Sequence, residues 1–353
     1  MSKAIIEYVK AQYPEGFIPM HAPVEQFEAQ MSAYTGAAHT TAVVNGTSGI
    51  HIALHVLDVG PEDAVITQPL TFVATCNAIA YTGALPLFDD VDEDTMGLSP
   101  TALAAYLEEA CQLDGTQCRH KATGRLIKAC LPMHTFGFPC RIQELVALCE
   151  RWCIPIVEDA AESLGSRVGD RHTGTFGRLG VFSFNGNKIA TAGGGGAVVT
   201  QAVALGQRIK HLTTTAKQPH RWAYRHETLG FNYRMPNINA ALACAQLESL
   251  PQFLENKRQL ALAYQAFFAT RTEQLLWERA GTSANFWLNT LRVSSSAVRD
   301  SLLMATNEVG VMTRPVWELM TDLPMYQNCP KGPLPNATLL SQQIVNLPSS
   351  VRL

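Results

Sequence analysis

The sequence predicts an α/β protein built on a largely parallel sheet, and three observations predict it. Short apolar runs at residues 41–44, 64–67, 126–132 and 154–159 alternate with longer segments of helical periodicity. These runs are apolar almost throughout, as strands covered on both faces must be. Several then end in clusters that carry chemistry: a Gly-Thr-Ser turn, a pair of acids, and a lysine followed by glycines. Ligands of such sheets lie beyond the carboxyl ends of the strands.

The totals narrow the class. A chain of 353 residues, 47% apolar and 16% charged, has material for a large core and a length prior of two domains. A net charge of −3 carries no electrostatic footprint for nucleic acid or an anionic membrane, so neither is expected as a partner. No apolar run has the length of a membrane span, and the opening residues lack the apolar stretch and cleavage site of a signal peptide. A cytoplasmic protein is the expectation. Nine scattered cysteines include Cys149 and Cys153, four apart on an expected helix, with nothing at zinc-site spacing to join them. They read as small buried hydrophobes, with neither metal nor disulfide.

Taken in order, residues 5–33 read as a helical N-terminal arm interrupted by Tyr13-Pro14-Glu15-Gly16. The strand at 41–44 runs into Asn45-Gly46-Thr47-Ser48-Gly49 and an apolar helix. Strand, glycine-hydroxyl turn and helix together point free N–H groups at an anion, and a phosphate is the natural guest. Ordinary helix capping is the competing reading. The turn is neither a Walker loop nor a dinucleotide fingerprint. A strand at 64–67 leads to Phe72, either a core residue or the cover of a planar ring. A helix over 73–81, a strand over 86–91 and a helix over 100–111 follow. The strand at 126–132 then ends at Met133-His134-Thr135-Phe136-Gly137, and an amphipathic helix spans 142–152.

The strand at 154–159 stops on Glu158-Asp159. An acid there points into the ligand crevice, although Asp159 with Glu162 three residues on is also a capping-box pattern. Next, the apolar run 180–184, carrying Ser183, reaches Lys188 and then four glycines, Gly193 to Gly196, before a strand at 197–200. This predicts a lysine on a tight turn between two buried strands. A lysine among apolar neighbours loses its proton more readily and becomes a nucleophile able to form a Schiff base. A surface lysine beside a flexible glycine loop is the plainer alternative.

Lysine, strand-end acid, Ser183 and the Gly46 turn make one chemical set. Pyridoxal 5'-phosphate requires each part: a lysine, a carboxylate against its pyridinium nitrogen, a phosphate cup and a ring cover. Together with Gly230-Phe231-Asn232-Tyr233-Arg234-Met235 and Arg314-Pro315-Val316-Trp317, these segments resemble the DegT-type nucleotide-sugar aminotransferases over nearly the whole chain.

The resemblance implies a fold-type-I, aspartate aminotransferase-like protein. Its arm and large cofactor-binding domain would cover residues 1–246, and a smaller C-terminal α/β domain residues 247–353. The latter is expected to hold strands at 286–288 and 291–293, a helix over 297–309 and a closing helix over 337–345. The resemblance implies that Lys188 bonds the cofactor and shuttles the proton, that Asp159 pairs with the ring nitrogen, and that Phe72 stacks on the ring. Gly46, Thr47 and Ser183 would hold the phosphate, with Ser48 assisting. Asn232 would reach the phosphate of a neighbouring subunit, implying a homodimer with shared sites. His134 and Arg234 are expected near the substrate.

Two positions depart from the family pattern: Glu162 stands where many members carry Gln or His against the cofactor's 3'-oxygen, and Thr321 stands near a frequent His. With Ala160-Ala161-Glu162-Ser163-Leu164-Gly165, these departures resemble the bacillosamine and legionaminic acid branch. That implies amino transfer from L-glutamate to C4 of a 4-keto-6-deoxy nucleotide sugar, UDP-linked, in bacterial surface-polysaccharide biosynthesis. Three alternatives stay open: amination at C3, a sugar dehydratase of the same fold, and a non-catalytic sugar-nucleotide sensor. The dehydratase relative carries histidine at the position of Lys188.

Overall fold

The computed structural model describes residues 22–352. The part of the expected arm before Ala22 lies outside the described residues. Helix α1 (Ala22–Thr35) buries Val24, Phe27 and Met31 at spacings of three and four, one stripe of a helix.

Then come β1 (His39–Val43), α2 (Gly46–His55), β2 (Asp63–Thr67), α3 (Val73–Tyr81), β3 (Leu85–Phe88) and α4 (Pro100–Ala110). Asn45 caps α2 by accepting from Ser48 N at 2.8 Å, and Ser99 caps α4 ahead of Pro100. A hairpin, β4 (Cys111–Asp114) and β5 (Gln117–His120), precedes β6 (Leu126–Leu131). On α5 (Ile142–Arg151) the residues Ile142, Leu145, Leu148 and Cys149 face the core.

The remainder of the large domain comprises β7 (Val157–Asp159), the short pair β8 (Arg167–Val168) and β9 (Arg171–His172), β10 (Leu179–Ser183), β11 (Gly196–Thr200) and α6 (Val203–Thr213). Seven of its strands stand in the order β1-β11-β10-β7-β6-β2-β3, with the β4–β5 hairpin attached to β6. The β6–β7 contact is made by the parallel bridges Cys130↔Ile156 and Met133↔Asp159. Only β11 among these seven runs antiparallel to its neighbours β1 and β10. The expected parallel α/β sheet is therefore present with one reversed strand, and β1, β6, β7 and β10 deliver their carboxyl ends to one edge.

Helix α7 (Asn237–Phe268) then runs through residues 246 and 247, where the sequence suggests a domain division. Its first half packs with α1 and its second half reaches a separate antiparallel sheet. That sheet has the order β12 (Gln274–Leu275), β14 (Asn289–Arg292), β16 (Ile344–Leu347), β15 (Arg314–Pro315), flanked by α8 (Ser296–Glu308) and α9 (Pro335–Gln343). Strand β13 (Thr282–Ser283) leaves this sheet and pairs with β8 of the large domain.

Two expectations here need correction. Residues 286–288 are not a strand, because Phe286 takes a left-handed φ of 47°, which no strand accommodates. The closing helix ends at Gln343, and Ile344 and Val345 join β16 with both side chains buried.

Candidate active site

A cleft of about 350 Å³ opens at the carboxyl ends of β1, β7 and β10. It is lined by Gly46, Thr47, Phe72, Asp159, Glu162, Ser183 and Lys188, and also by Thr75, Trp287 and Trp317. Seven residues singled out in the sequence thus meet in one place. A larger depression of about 940 Å³ lies at the opposite ends of the strands, around Lys128, Ile156 and Arg178, and contains none of them. Volume is a weaker guide than converging polar groups, so the smaller cleft is the candidate reaction site.

Lys188 lies in the connection between β10 and β11, residues 184–195, a longer span than the tight turn expected. Its Nζ is 3.1 Å from Glu162 Oε1 and 4.2 Å from the centroid of the Trp287 ring. The indole is itself fixed, since Trp287 Nε1 donates to Asn187 O at 2.9 Å. The ammonium is therefore flanked by a carboxylate and an aromatic face, and the side chain is 11% exposed. The surface-lysine alternative does not describe this environment.

Asp159 ends β7. Its Oδ2 accepts from Thr75 Oγ1 at 2.7 Å and its Oδ1 from Ala161 N at 3.1 Å. The latter bond shows that Asp159 also serves the turn that follows it. Burial pushes its pKa upward, opposed by these two hydrogen bonds and by the charge of Lys188. Burial likewise raises Glu162 to about 7, against the pull of Lys188 and the Phe136 N–H, which donates to Oε2 at 2.9 Å. Glu162 accordingly faces the lysine and is neither turned away nor exposed.

The opposite wall is built for close approach. Gly46 and Thr47 open α2, so their N–H groups point out of the helix end. A Cβ on Gly46 would lie 3.1 Å from Ser183 Cβ, and one on Gly196 would lie 2.7 Å from the carbonyl of Asn45. Backbone, Ser183 hydroxyl and helix terminus can meet an anion only because those two positions are glycine. Phe72, 47% exposed, projects at the rim with its ring centroid 6.1 Å from that of Trp317.

A phosphate cradle, a buried strand-end acid, an accessible lysine and an exposed ring in one cleft fit pyridoxal 5'-phosphate. Fold and cleft together define a fold-type-I pyridoxal-phosphate enzyme.

Comparison with known proteins agrees. The sequence pattern of the DegT/DnrJ/EryC1/StrS aminotransferase family matches residues 1–353. EpsN of Bacillus subtilis (strain 168), named as a pyridoxal phosphate-dependent aminotransferase, is 36% identical over 323 residues, covering 90% of this chain and 80% of its own. The GDP-perosamine synthase of Escherichia coli O157:H7 is 33% identical over 327 residues, covering 92% and 84%. The crystal structure of a DegT DnrJ EryC1 StrS aminotransferase from Brucella abortus superposes with a TM-score of 0.87 at 26% identity, covering 99% of this chain and 90% of its own. The chain belongs to the DegT/DnrJ/EryC1/StrS family and is a pyridoxal-phosphate-dependent aminotransferase.

Four sequence-derived residues fall elsewhere. Ser48 is not among the residues lining the cleft, and its N–H is taken by Asn45. His134 is fully buried and also absent from the lining: its Nε2 meets Glu158 Oε2 at 2.9 Å and its Nδ1 accepts from Cys140 N at 3.2 Å. A substrate contact for His134 is therefore not supported, because both ring nitrogens are spent on the scaffold. Asn232 and Arg234 are exposed on the segment that follows α6, outside the cleft lining of this chain. Conversely, Thr75 and Trp287 line the cleft without having been marked by any motif in the sequence. Thr75 lies three residues after Phe72, on the first turn of the expected helix, where a hydroxyl facing a strand-end acid was there to be found.

Proposed function

We propose that the protein transfers the amino group of L-glutamate to the C4 keto carbon of a 4-keto-6-deoxy nucleotide sugar, in the cytoplasm, for a bacterial surface polysaccharide. The observation that carries the reading is Lys188 held between Glu162 and the Trp287 ring in a cleft that also contains Asp159 and the Gly46–Ser183 cradle. The aromatic faces of Phe72, Trp287 and Trp317 suit the C–H face of a sugar. One relative's name, GDP-perosamine synthase, indicates a sugar-nucleotide product for that protein. A UDP-linked substrate of the bacillosamine and legionaminic acid type remains our proposal from motif resemblance. Among the described residues no helix is long and apolar enough to cross a membrane.

Bound there, the cofactor would supply an electron sink for the carbon that loses its proton. The chain's own residues do the rest. Lys188 Nζ would carry the proton, Glu162 and Trp287 fix where that amine stands, and Asp159 would favour positive charge on the ring nitrogen. The N–H groups of Gly46 and Thr47, with the Ser183 hydroxyl, would hold the phosphate. The decisive test incubates the purified enzyme with L-glutamate and either UDP- or GDP-linked 4-keto-6-deoxy sugar, following 2-oxoglutarate and the amino sugar by mass spectrometry and NMR. Amino sugar substituted at C3, or loss of a hydroxyl without 2-oxoglutarate, would overturn the C4 transfer.

We further propose a homodimer with shared sites. Its support is the set of exposed apolar side chains flanking Asn232 in sequence, Trp222, Tyr224, Leu229 and Ile238, each 75–80% exposed. Sedimentation equilibrium is expected to give twice the chain mass, and Asn232→Ala to weaken cofactor binding with the dimer intact. A monomer with full activity would sink this reading.

A pH dependence follows from Glu162. Its carboxyl is held above its unfolded value, so its stabilising contribution is complete below the unfolded pKa and is lost as pH rises through about 7. Cofactor-free protein is expected to lose up to about 3 kcal/mol from this group between pH 5 and pH 8. Glu162→Gln should flatten that part of the profile, which urea titrations at the two pH values would measure.

A further inference from the structure

The C-terminal part of the chain reaches the cleft with Trp287, on the turn at 284–288, and the way this turn is held is informative. Phe286 is left-handed, a costly conformation for an aromatic that must be held by its surroundings. On the cleft side Asn285 is the clasp. Its Nδ2 donates to Glu162 O at 2.8 Å and Leu164 O at 2.9 Å, while its Oδ1 accepts from Trp287 N at 2.8 Å. On the other side stands Lys257 of α7, 4% exposed.

The hydrogen-bond partners of Lys257 are not carboxylates. Its Nζ donates to Ser349 O at 2.5 Å, Trp287 O at 3.0 Å and Phe286 O at 3.4 Å. An ammonium has three N–H donors, and all three are used on carbonyls. Burying a lysine without a counter-charge is expensive, and burial lowers its pKa to about 8. An apolar residue would fill the same volume at less cost, so the charge is spent on something other than packing.

We propose that Lys257 is a positioning residue of the active site: it ties the left-handed turn at Phe286 to the C-terminal segment at Ser349 and so holds the Trp287 ring over Lys188. The chain of contacts is short. Lys257 fixes the Trp287 carbonyl, Asn285 fixes the Trp287 amide, Asn187 fixes the indole N–H, and the ring face stands 4.2 Å from Lys188 Nζ. Lys257 itself touches neither Lys188 nor the acids. Two segments far apart in sequence, 285–288 and 347–350, are thereby joined at their carbonyls, beside the Asn289–Leu347 strand pair and the bonds of Asn289 to the Ser349 hydroxyl.

The inference rests on the Lys188 cleft being the reaction site, and its test separates the two. Hydrogen exchange read by mass spectrometry on the intact enzyme is the first arm and does not depend on activity. In the unmodified protein the amides of 285–288 and 347–350 should open as a unit with matching protection, and unrelated opening rates would overturn the proposal. In Lys257→Met, exchange in both segments should rise roughly tenfold to a hundredfold, the loss of hydrogen bonds to a charged donor, while β6, β7 and β10 keep wild-type rates.

The second arm is kinetic. Lys257→Met and Trp287→Leu should lower kcat by similar factors, and Lys257→Arg should restore both exchange and kcat. Uniform acceleration of exchange across the whole chain, or unchanged kcat with both segments loosened, would mean a merely structural lysine and overturn the positioning role. If Lys257→Met does not fold, the unmodified protein and Lys257→Arg still decide the matter. Failure of the active-site reading has its own signature, wild-type turnover in a Lys188 variant.

Discussion

Lys188→Ala is expected to lower turnover by at least roughly 10⁴-fold, the upper range for one acid-base group combined with loss of the covalent anchor. No other amine lines the cleft within the described residues, so none can replace Lys188 as the nucleophile. The cofactor should still bind through the phosphate cradle, because Gly46, Thr47 and Ser183 are untouched. The spectrum separates these effects: the variant should bind pyridoxal phosphate yet lack the visible band that develops when the cofactor is joined to a lysine. Glutamate should then produce no 2-oxoglutarate in the first turnover. A variant with wild-type turnover would remove Lys188, and with it the whole assignment of the cleft.

The second large effect is expected at Asp159. Asparagine preserves the shape and can keep the Thr75 and Ala161 bonds in part, but it carries no charge. An ion pair at contact distance in a site of effective dielectric about 20 is worth about 4 kcal/mol, which corresponds to roughly 10³-fold in rate. Asp159→Asn should therefore lose about that factor in kcat while the visible band of the lysine-joined cofactor persists. Thr75→Val, which removes the donor to Oδ2 and the hydroxyl partner of Thr71 but leaves the charge, should cost far less, on the order of tenfold. Equal losses in the two variants would point to misplacement of β7 in place of lost charge.

Which parts were legible in the sequence follows from how each position is determined. Asp159 could be read because an apolar run of strand length stops at it, and Lys188 because it follows another such run by four residues, and a parallel sheet brings strand ends to one edge. Glu162 could be located but not oriented: that it faces Lys188 depends on the Phe136 N–H donating to its other oxygen, a contact across 26 positions. Trp287 could not be read at all, since it arrives on a turn of the small domain. There Phe286 and Trp287 have strand propensity, but tertiary hydrogen bonds hold a left-handed turn. His134 shows the reverse error. The family resemblance puts it near the substrate, whereas the fold uses both its nitrogens to tie Glu158 and Cys140 together.

The tripeptide Val157-Glu158-Asp159 has one more implication. Adjacent residues of a strand face opposite ways. Glu158 therefore looks into the scaffold, accepting from Gly174 N, Gly177 N and His134, while Asp159 looks into the cleft. Both acids are at most 3% exposed, so neither can escape to water if its direction is wrong. For an engineer, this makes β7 a parity code. Exchanging apolar residues upstream of Val157 is tolerable, whereas deleting or inserting a single residue there would hand each acid the other's job and erase scaffold and site in one edit.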